Sequence, residues 1–140
     1  MAGVVGRDTG EVRLEVVEAA DAATLREVVH AATREGATLY TDDWAGYDGV
    51  DRPRQTCRHT PGSRVWARDA DGDGVREVHT NTCEGLWTGL RTFLRPFRGV
   101  SKWHLGGYVA VFQWATNAKR VTAAFVQALF GIRPSTVYGP

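Results

Sequence analysis

Five polar residues between positions 79 and 98 are spaced for chemistry. Glu84, Thr88, Arg91, Arg95 and Arg98 recur at intervals of three and four, so on a helix they share one narrow stripe. Leu86, Leu90, Phe93 and Phe97 fall on the opposite stripe, with Trp87 and Leu94 on its flank. That is an amphipathic helix whose wet face carries one carboxylate and then only a threonine and guanidinium groups. Glu84 and Arg91 are two turns apart, roughly 10 Å along the axis. A carboxylate followed by arginines suits a metal-bound phosphate whose backbone runs away from the ion. A plainer reading stands beside this one. Asn81 followed three residues later by Glu84 has the spacing of a capping box, and the arginines then form a solvated face.

The elements that must position this stripe follow in chain order. Met1 to Arg7, the turn Asp8-Thr9-Gly10 and the alternating run Glu11 to Val17 predict a β-hairpin with one wet face. Asp21 is the expected N-cap of a helix with Leu25, Val28, Val29 and Ala32 on its buried side, His30 beside them and Gly36 at the C-cap. Ala37 to Thr41 then predicts a strand ending at Asp42, and a helix leading into a strand implies a parallel neighbour. An acid just past the carboxyl end of such a strand sits where open α/β sheets place their sites. Trp44 and Tyr47 are expected to anchor the turn that follows. Residues 50–78 read as irregular, apart from a short strand through Val65 and Trp66. Pro96 ends the key helix, and Ser101 is the expected cap of the next. That helix runs to about Asn117 and buries Leu105, Tyr108, Val109, Phe112 and Ala115 or Thr116. Its Gly106-Gly107 pair predicts close approach of a neighbour. A last helix is expected over Lys119 to Phe130.

Two further clusters could hold metal. Asp69-Ala70-Asp71-Gly72-Asp73-Gly74 imitates the start of a calcium loop, but Thr80 stands where its bidentate glutamate belongs, so an exposed acidic turn is expected. Cys57 and His59 with His79 and Cys83 offer four zinc-type ligands at a spacing that matches no strong zinc pattern.

Composition bounds the class. The 140 residues suit one domain large enough for a core, with the composition of a soluble globular protein. No run approaches the ~20 apolar residues that span a bilayer and no leader pattern opens the chain, so a cytoplasmic protein without a membrane partner is expected. Two cysteines do not make a disulfide scaffold. Charge is split. Up to residue 78 there are 10 Lys/Arg and 15 Asp/Glu; from residue 79 on there are 7 Lys/Arg and a single acid, Glu84. A basic half favours a polyanion partner.

Two blocks together resemble a known family. His79-Thr80-Asn81-Thr82-Cys83-Glu84-Gly85-Leu86-Trp87, continuing through Arg91 to Val100-Ser101 and His104-Leu105, is similar to the end of the catalytic domain of DDE-class insertion-sequence transposases of the ISXO-two-like branch. Leu39-Tyr40-Thr41-Asp42-Asp43-Trp44-Ala45-Gly46-Tyr47 resembles that family's Tyr-Thr-Asp-x-Trp-x-x-Tyr block, in the matching order. The resemblance implies a ribonuclease-H-like mixed sheet with flanking helices over residues 1–117, followed by a C-terminal helix and tail over 118–140. It implies Asp42 and Glu84 as the second and third catalytic carboxylates and as ligands of Mg²⁺ or Mn²⁺, with Arg91 in the place of the basic residue after the glutamate. It also implies DNA as partner, held by Arg91, Arg95, Arg98 and Lys102.

The family's first catalytic Asp lies on a strand upstream of the segment matching Val4-Val5-Gly6, and Asp8 sits in a turn. The first strand is therefore expected to be missing, with metal binding weak, strand transfer absent, and a gap, a direct strand pairing or a partner chain in its place. A second copy or an intact transposase is the expected protein partner. Two alternatives stay open: a catalytically dead DNA-binding remnant, and an unrelated metal-binding domain.

Overall fold

The computed structural model describes residues 1–57, 67–118 and 130. Two strands, β1 (Ala2–Val5) and β2 (Val12–Glu15), form the predicted antiparallel hairpin, with Val5 opposite Val12 and Ala2 opposite Glu15. Its loop is closed by the Gly6 amide on the Glu11 carbonyl at 2.8 Å.

Neighbouring residues of a strand point to opposite faces, and β1 uses both. Ala2 and Val4 pack with Leu25 and Val28 of α1 (Ala22–Ala32). Gly3 points the other way, onto Trp87 of α2 (Asn81–Leu94). A Cβ there would stand 2.7 Å from Leu14 and 3.1 Å from the indole, so only glycine admits the ring. The expected wet face is thereby confined to β2, at exposed Arg13 and Glu15.

The first helix is capped as predicted, the Asp21 carboxylate accepting from the Thr24 amide at 2.8 Å. Those amide bonds hold the Asp21 carboxyl below its usual pKa. The helix stops earlier than expected, with Thr33 as C-cap; Gly36 instead takes φ +79° in the turn that follows. His30 is exposed and packs no core.

Next come β3 (Leu39–Thr41) and β4 (Arg54–Thr56), parallel, with Tyr40 opposite Gln55. The parallel partner of β3 is thus the strand after it, inside the stretch expected to be irregular. The connection, residues 42–53, is carried by a 3-10 turn at Ala45–Tyr47. The two strand pairs share no hydrogen bond: among the described residues they are separate two-stranded sheets. Of the outcomes expected for a missing first strand, direct pairing of the hairpin with β3 does not occur. Among the described residues the chain is mixed α/β, with small sheets rather than one continuous sheet. The Val65-Trp66 strand, His59 and the Lys119-to-Phe130 helix lie outside the described residues, save Phe130 itself.

α2 buries Leu86 and Leu90 and exposes Glu84, Thr88 and Arg91, as its periodicity requires. Pro96 falls in a 3-10 turn, Arg95–Phe97, that ends the helix. Arg98 (φ +52°) and Gly99 (φ +129°) then reverse the chain. α3 (Leu105–Asn117) returns along α2, pairing Phe112 with Phe93 at 5.5 Å and Tyr108 with Phe97 at 4.7 Å between ring centroids. Val109 is its buried residue, while Ala115 and Thr116, expected inside, are exposed. The close approach expected at Gly106-Gly107 is found elsewhere. Both of those glycines face open space, whereas a Cβ on Gly89 would meet the Phe112 ring at 3.4 Å.

The other side of α3 covers the edge of the hairpin. Asn117 accepts from the Val12 amide and donates to its carbonyl, each at 2.8 Å, and Gln113 accepts from the Leu14 amide at 2.6 Å. Amides at i and i+4 thus meet alternate residues of β2, as a neighbouring strand would. Asn117→Ala leaves two backbone groups of Val12 without these partners. It should lower unfolding free energy by roughly 1–3 kcal/mol, measured by urea titration, and Asn117→Asp should not restore it, since a carboxylate cannot donate to the Val12 carbonyl.

Candidate functional site

Asp42 follows β3 directly and is exposed. One of its carboxylate oxygens accepts from the Trp44 amide at 3.3 Å. The loop beyond it is organised by Arg54 of β4. That guanidinium donates to the Thr41 hydroxyl at 2.8 Å, to the Asp42 carbonyl at 3.0 Å and to the Trp44 carbonyl at 3.1 Å, and pairs with Asp48 at 2.6 Å. It also lies 5.5 Å from the Tyr47 ring centroid. Trp44 and Tyr47 meet edge to face at 5.7 Å, yet Trp44 stays exposed, so of the two expected anchors Tyr47 alone joins the core.

Glu84 lies in the first turn of α2. The N-cap is Thr80 rather than Asn81, and the expected capping box is not formed. The Thr80 hydroxyl instead donates to the Glu84 carboxylate at 3.0 Å, while the Glu84 amide donates to the Thr80 carbonyl.

Two half-buried groups stand near these acids in the chain, Tyr47 and Cys83. Burial raises the Tyr47 phenol's pKa, and the charges of Asp42 and Cys83 raise it further. Burial likewise raises the Cys83 thiol, Arg7 opposes that shift, and Glu84 adds to it. β3 and the segment entering α2 meet through a side chain of the hairpin turn.

Arg7 makes that junction. Its guanidinium donates to the Glu77 carbonyl and, at 2.7 Å, to the His79 carbonyl, and lies 3.7 Å from the centroid of the Tyr40 ring. One side chain thus ties the end of the hairpin to β3 and to the segment entering α2. Sequence reading missed both Arg7 and Arg54. Neither lies in a periodic run that points to it; each acts on residues that only folding brings near.

Down the wet face of α2, the basic end is an open cavity of about 490 Å³ lined by Thr88, Arg91, Thr92, Leu94, Arg95, Arg98 and Gly99. Arg91 approaches the Thr88 hydroxyl at 3.5 Å. Among the described residues the salt bridges are Arg13–Glu11 and Arg54–Asp48, so these arginines are not paired with carboxylates. Lys102 stands in the turn before α3. Ser101 heads that turn instead of capping the helix, its carbonyl accepting from the amides of His104 and Leu105.

Carboxylate oxygen is the donor type Mg²⁺ takes, so Asp42 and Glu84 fit in kind. Among the described residues neither belongs to a group of three ligand-bearing side chains within 4.8 Å; that group is Asp69, Asp71 and Glu77. It lies on the acidic loop closed by the Arg68–Val78 bridge. The Asp69 carboxylate there accepts from the amides of Gly72 (2.6 Å) and Gly74 (2.9 Å), which lower its pKa. That is the expected acidic turn. The described members of the zinc-type set, Cys57, His79 and Cys83, form no such group.

Comparison with known proteins agrees with these blocks. The family model for the ISXO2-like transposase domain matches residues 1–117. A protein described as an uncharacterized protein in transposable element ISH50 of Halobacterium salinarum is 34% identical over 108 residues, 76% of this chain. The chain spans 35% of that relative's length. No solved structure matches. Among the described residues no helix is long and apolar enough to cross a membrane.

Removing the Arg7 clamp has a reading specific to it. Arg7→Ala should cost roughly 1.5–3 kcal/mol, the range for hydrogen bonds from a charged donor. It should also move alkylation of Cys83 by iodoacetamide to higher pH, because the thiolate loses the cation that favours it. Peptide mapping separates Cys83 from Cys57; an unchanged Cys83 profile would mean Arg7 does not hold the start of α2.

Proposed function

This chain belongs to the ISXO2-like transposase family, and on that footing we propose that it serves DNA transposition as part of a DDE-type, metal-dependent catalytic domain. In this reading Asp42 and Glu84 are two of the catalytic carboxylates and ligands of Mg²⁺ or Mn²⁺. Arg91, Arg95, Arg98 and Lys102 hold the DNA backbone, with Arg91 nearest the reacting phosphate. The observation that carries it is the wet face of α2: a carboxylate at one end, three exposed arginines lining one cavity at the other, and no acid in the sequence after Glu84.

A bound divalent cation supplies a more acidic water and neutralises charge on the leaving oxygen. The chain's own residues do the rest. The Trp44 amide and the Thr80 hydroxyl each hold one carboxylate in place, for Asp42 and Glu84 respectively. Arg54 fixes the loop that carries Asp42 and acts as a positioning residue. The arginines offer forked donors to phosphate oxygens in a cavity open to solvent.

Two carboxylates leave a divalent ion short of protein ligands. A polypeptide of these 140 residues should therefore bind Mg²⁺ weakly and carry out no strand transfer. Nicking of supercoiled plasmid with Mg²⁺ or Mn²⁺ checks this, and efficient turnover, lost in Asp42→Asn or Glu84→Gln, would refute the weak-binding part while supporting the residue roles. A second reading, DNA binding without chemistry, is favoured by the absence of Asp42 and Glu84 from the three-acid group; it predicts no nicking at any metal concentration.

Either way, duplex binding should fall steeply with salt. Each of Arg91→Ala, Arg95→Ala and Arg98→Ala should reduce the slope of log affinity against log salt by about 0.9. Slopes unchanged in all three would remove the arginine face from the DNA interface.

A further inference from the structure

We propose that Trp103 is a stacking platform for an unpaired DNA base, set beside the arginine-lined cavity that takes the same strand's phosphates. This rests on the DNA-binding reading of α2 and adds the form of DNA that is bound.

Trp103 is 81% exposed, the largest exposure among the described large apolar residues. An indole carried that far into water gains nothing from burial, and its place in the turn owes nothing to core packing. The turn itself is held firmly. The Ser101 carbonyl takes the amides of His104 and Leu105 at 2.9 and 3.0 Å, and the Ser101 hydroxyl takes the Trp103 amide at 3.4 Å. The ring is thus presented on a fixed backbone. The Lys102 amine lies over one face of the ring, 4.8 Å from its centroid, so a base would stack on the opposite face.

Two concavities share Gly99, four residues before Trp103 in the chain, and Trp103 itself stands outside both linings. The residues around the turn, Val100, Ser101 and His104, line a groove of about 810 Å³ with Phe97 and Tyr108, and Gly99 lines both that groove and the arginine cavity. A strand whose phosphates occupy the cavity would pass its bases toward the aromatic side. An aromatic plane beside a cationic track is how single strands are held without sequence preference.

Charge selects the occupant. From Gly85 to the last residue the sequence has no Asp or Glu, and the described cations nearest the turn are Arg98 and Lys102. A second copy docked here across a two-fold axis would set these cations against themselves, whereas DNA neutralises them. Within a paired duplex the base planes are covered by their neighbours, so the indole reaches a base only where pairing is broken.

The test is fluorescence anisotropy of the full chain with a labelled 20-nucleotide oligothymidylate and with a 20-base-pair duplex, at one fixed salt concentration. Trp103→Ala should weaken oligothymidylate binding by about tenfold, the order expected for one stacked base, and leave duplex binding within about twofold. Trp103→Phe should retain most single-strand affinity. Equal loss on both DNA forms, no loss on the single strand, or a Phe variant as weak as Ala would each overturn the proposal. So would a dimer in sedimentation that Trp103→Ala dissolves. If the wild-type chain binds duplex with the arginine-dependent salt slope but Trp103→Ala is silent, this inference alone fails; if it binds neither form, the DNA reading of α2 fails with it.

Discussion

Arg7 carries the connection that backbone hydrogen bonding does not. The two strand pairs share no ladder, so nothing in the sheets fixes the end of β3 against the start of α2. The Arg7 guanidinium does so by binding two carbonyls of the segment entering α2 while lying on the Tyr40 ring of β3. A planar cation with five donors can meet carbonyls with its edge and an aromatic ring with its face, which an ammonium cannot. Arg7 thereby links the strand that leads into Asp42 with the segment that leads into the helix carrying Glu84.

Around this clamp the molecule is layered. α1 lies on one face of β1 and α2 on the other, through Ala2 and Gly3 respectively. The packed stripe of α2 lies on the hairpin and on the aromatic rings of α3, which leaves its charged stripe to solvent. The packed side and the charged side of this helix are thus opposite.

What was legible in the sequence is what local periodicity controls. The stripe of α2 is specified by residues three and four apart, and its exposure follows from them. The Asp21 cap and the hairpin turn are likewise local. The β4 strand was not legible because Arg-Gln-Thr is short and polar, and pairs only because Leu39-Tyr40-Thr41 lies beside it. The N-cap of α2 fell one residue from the Asn81 position, since Thr80 and Asn81 both suit a helix start. Arg7 and Arg54 look like ordinary surface cations in the sequence; their partners are as many as 72 and 13 residues away. The family resemblance reached the two acids without any of this, but not what holds them.

The amide pair on α3 has a consequence for the folded chain in a crowded cell. An uncovered strand edge is a template for aggregation, and proteins blunt such edges with charge, proline or a covering element. Gln113 and Asn117 act as a plug on the outer rim of β2, consuming the groups a foreign strand would need. Edge-on association with this sheet is thereby opposed along the Val12 to Leu14 rim.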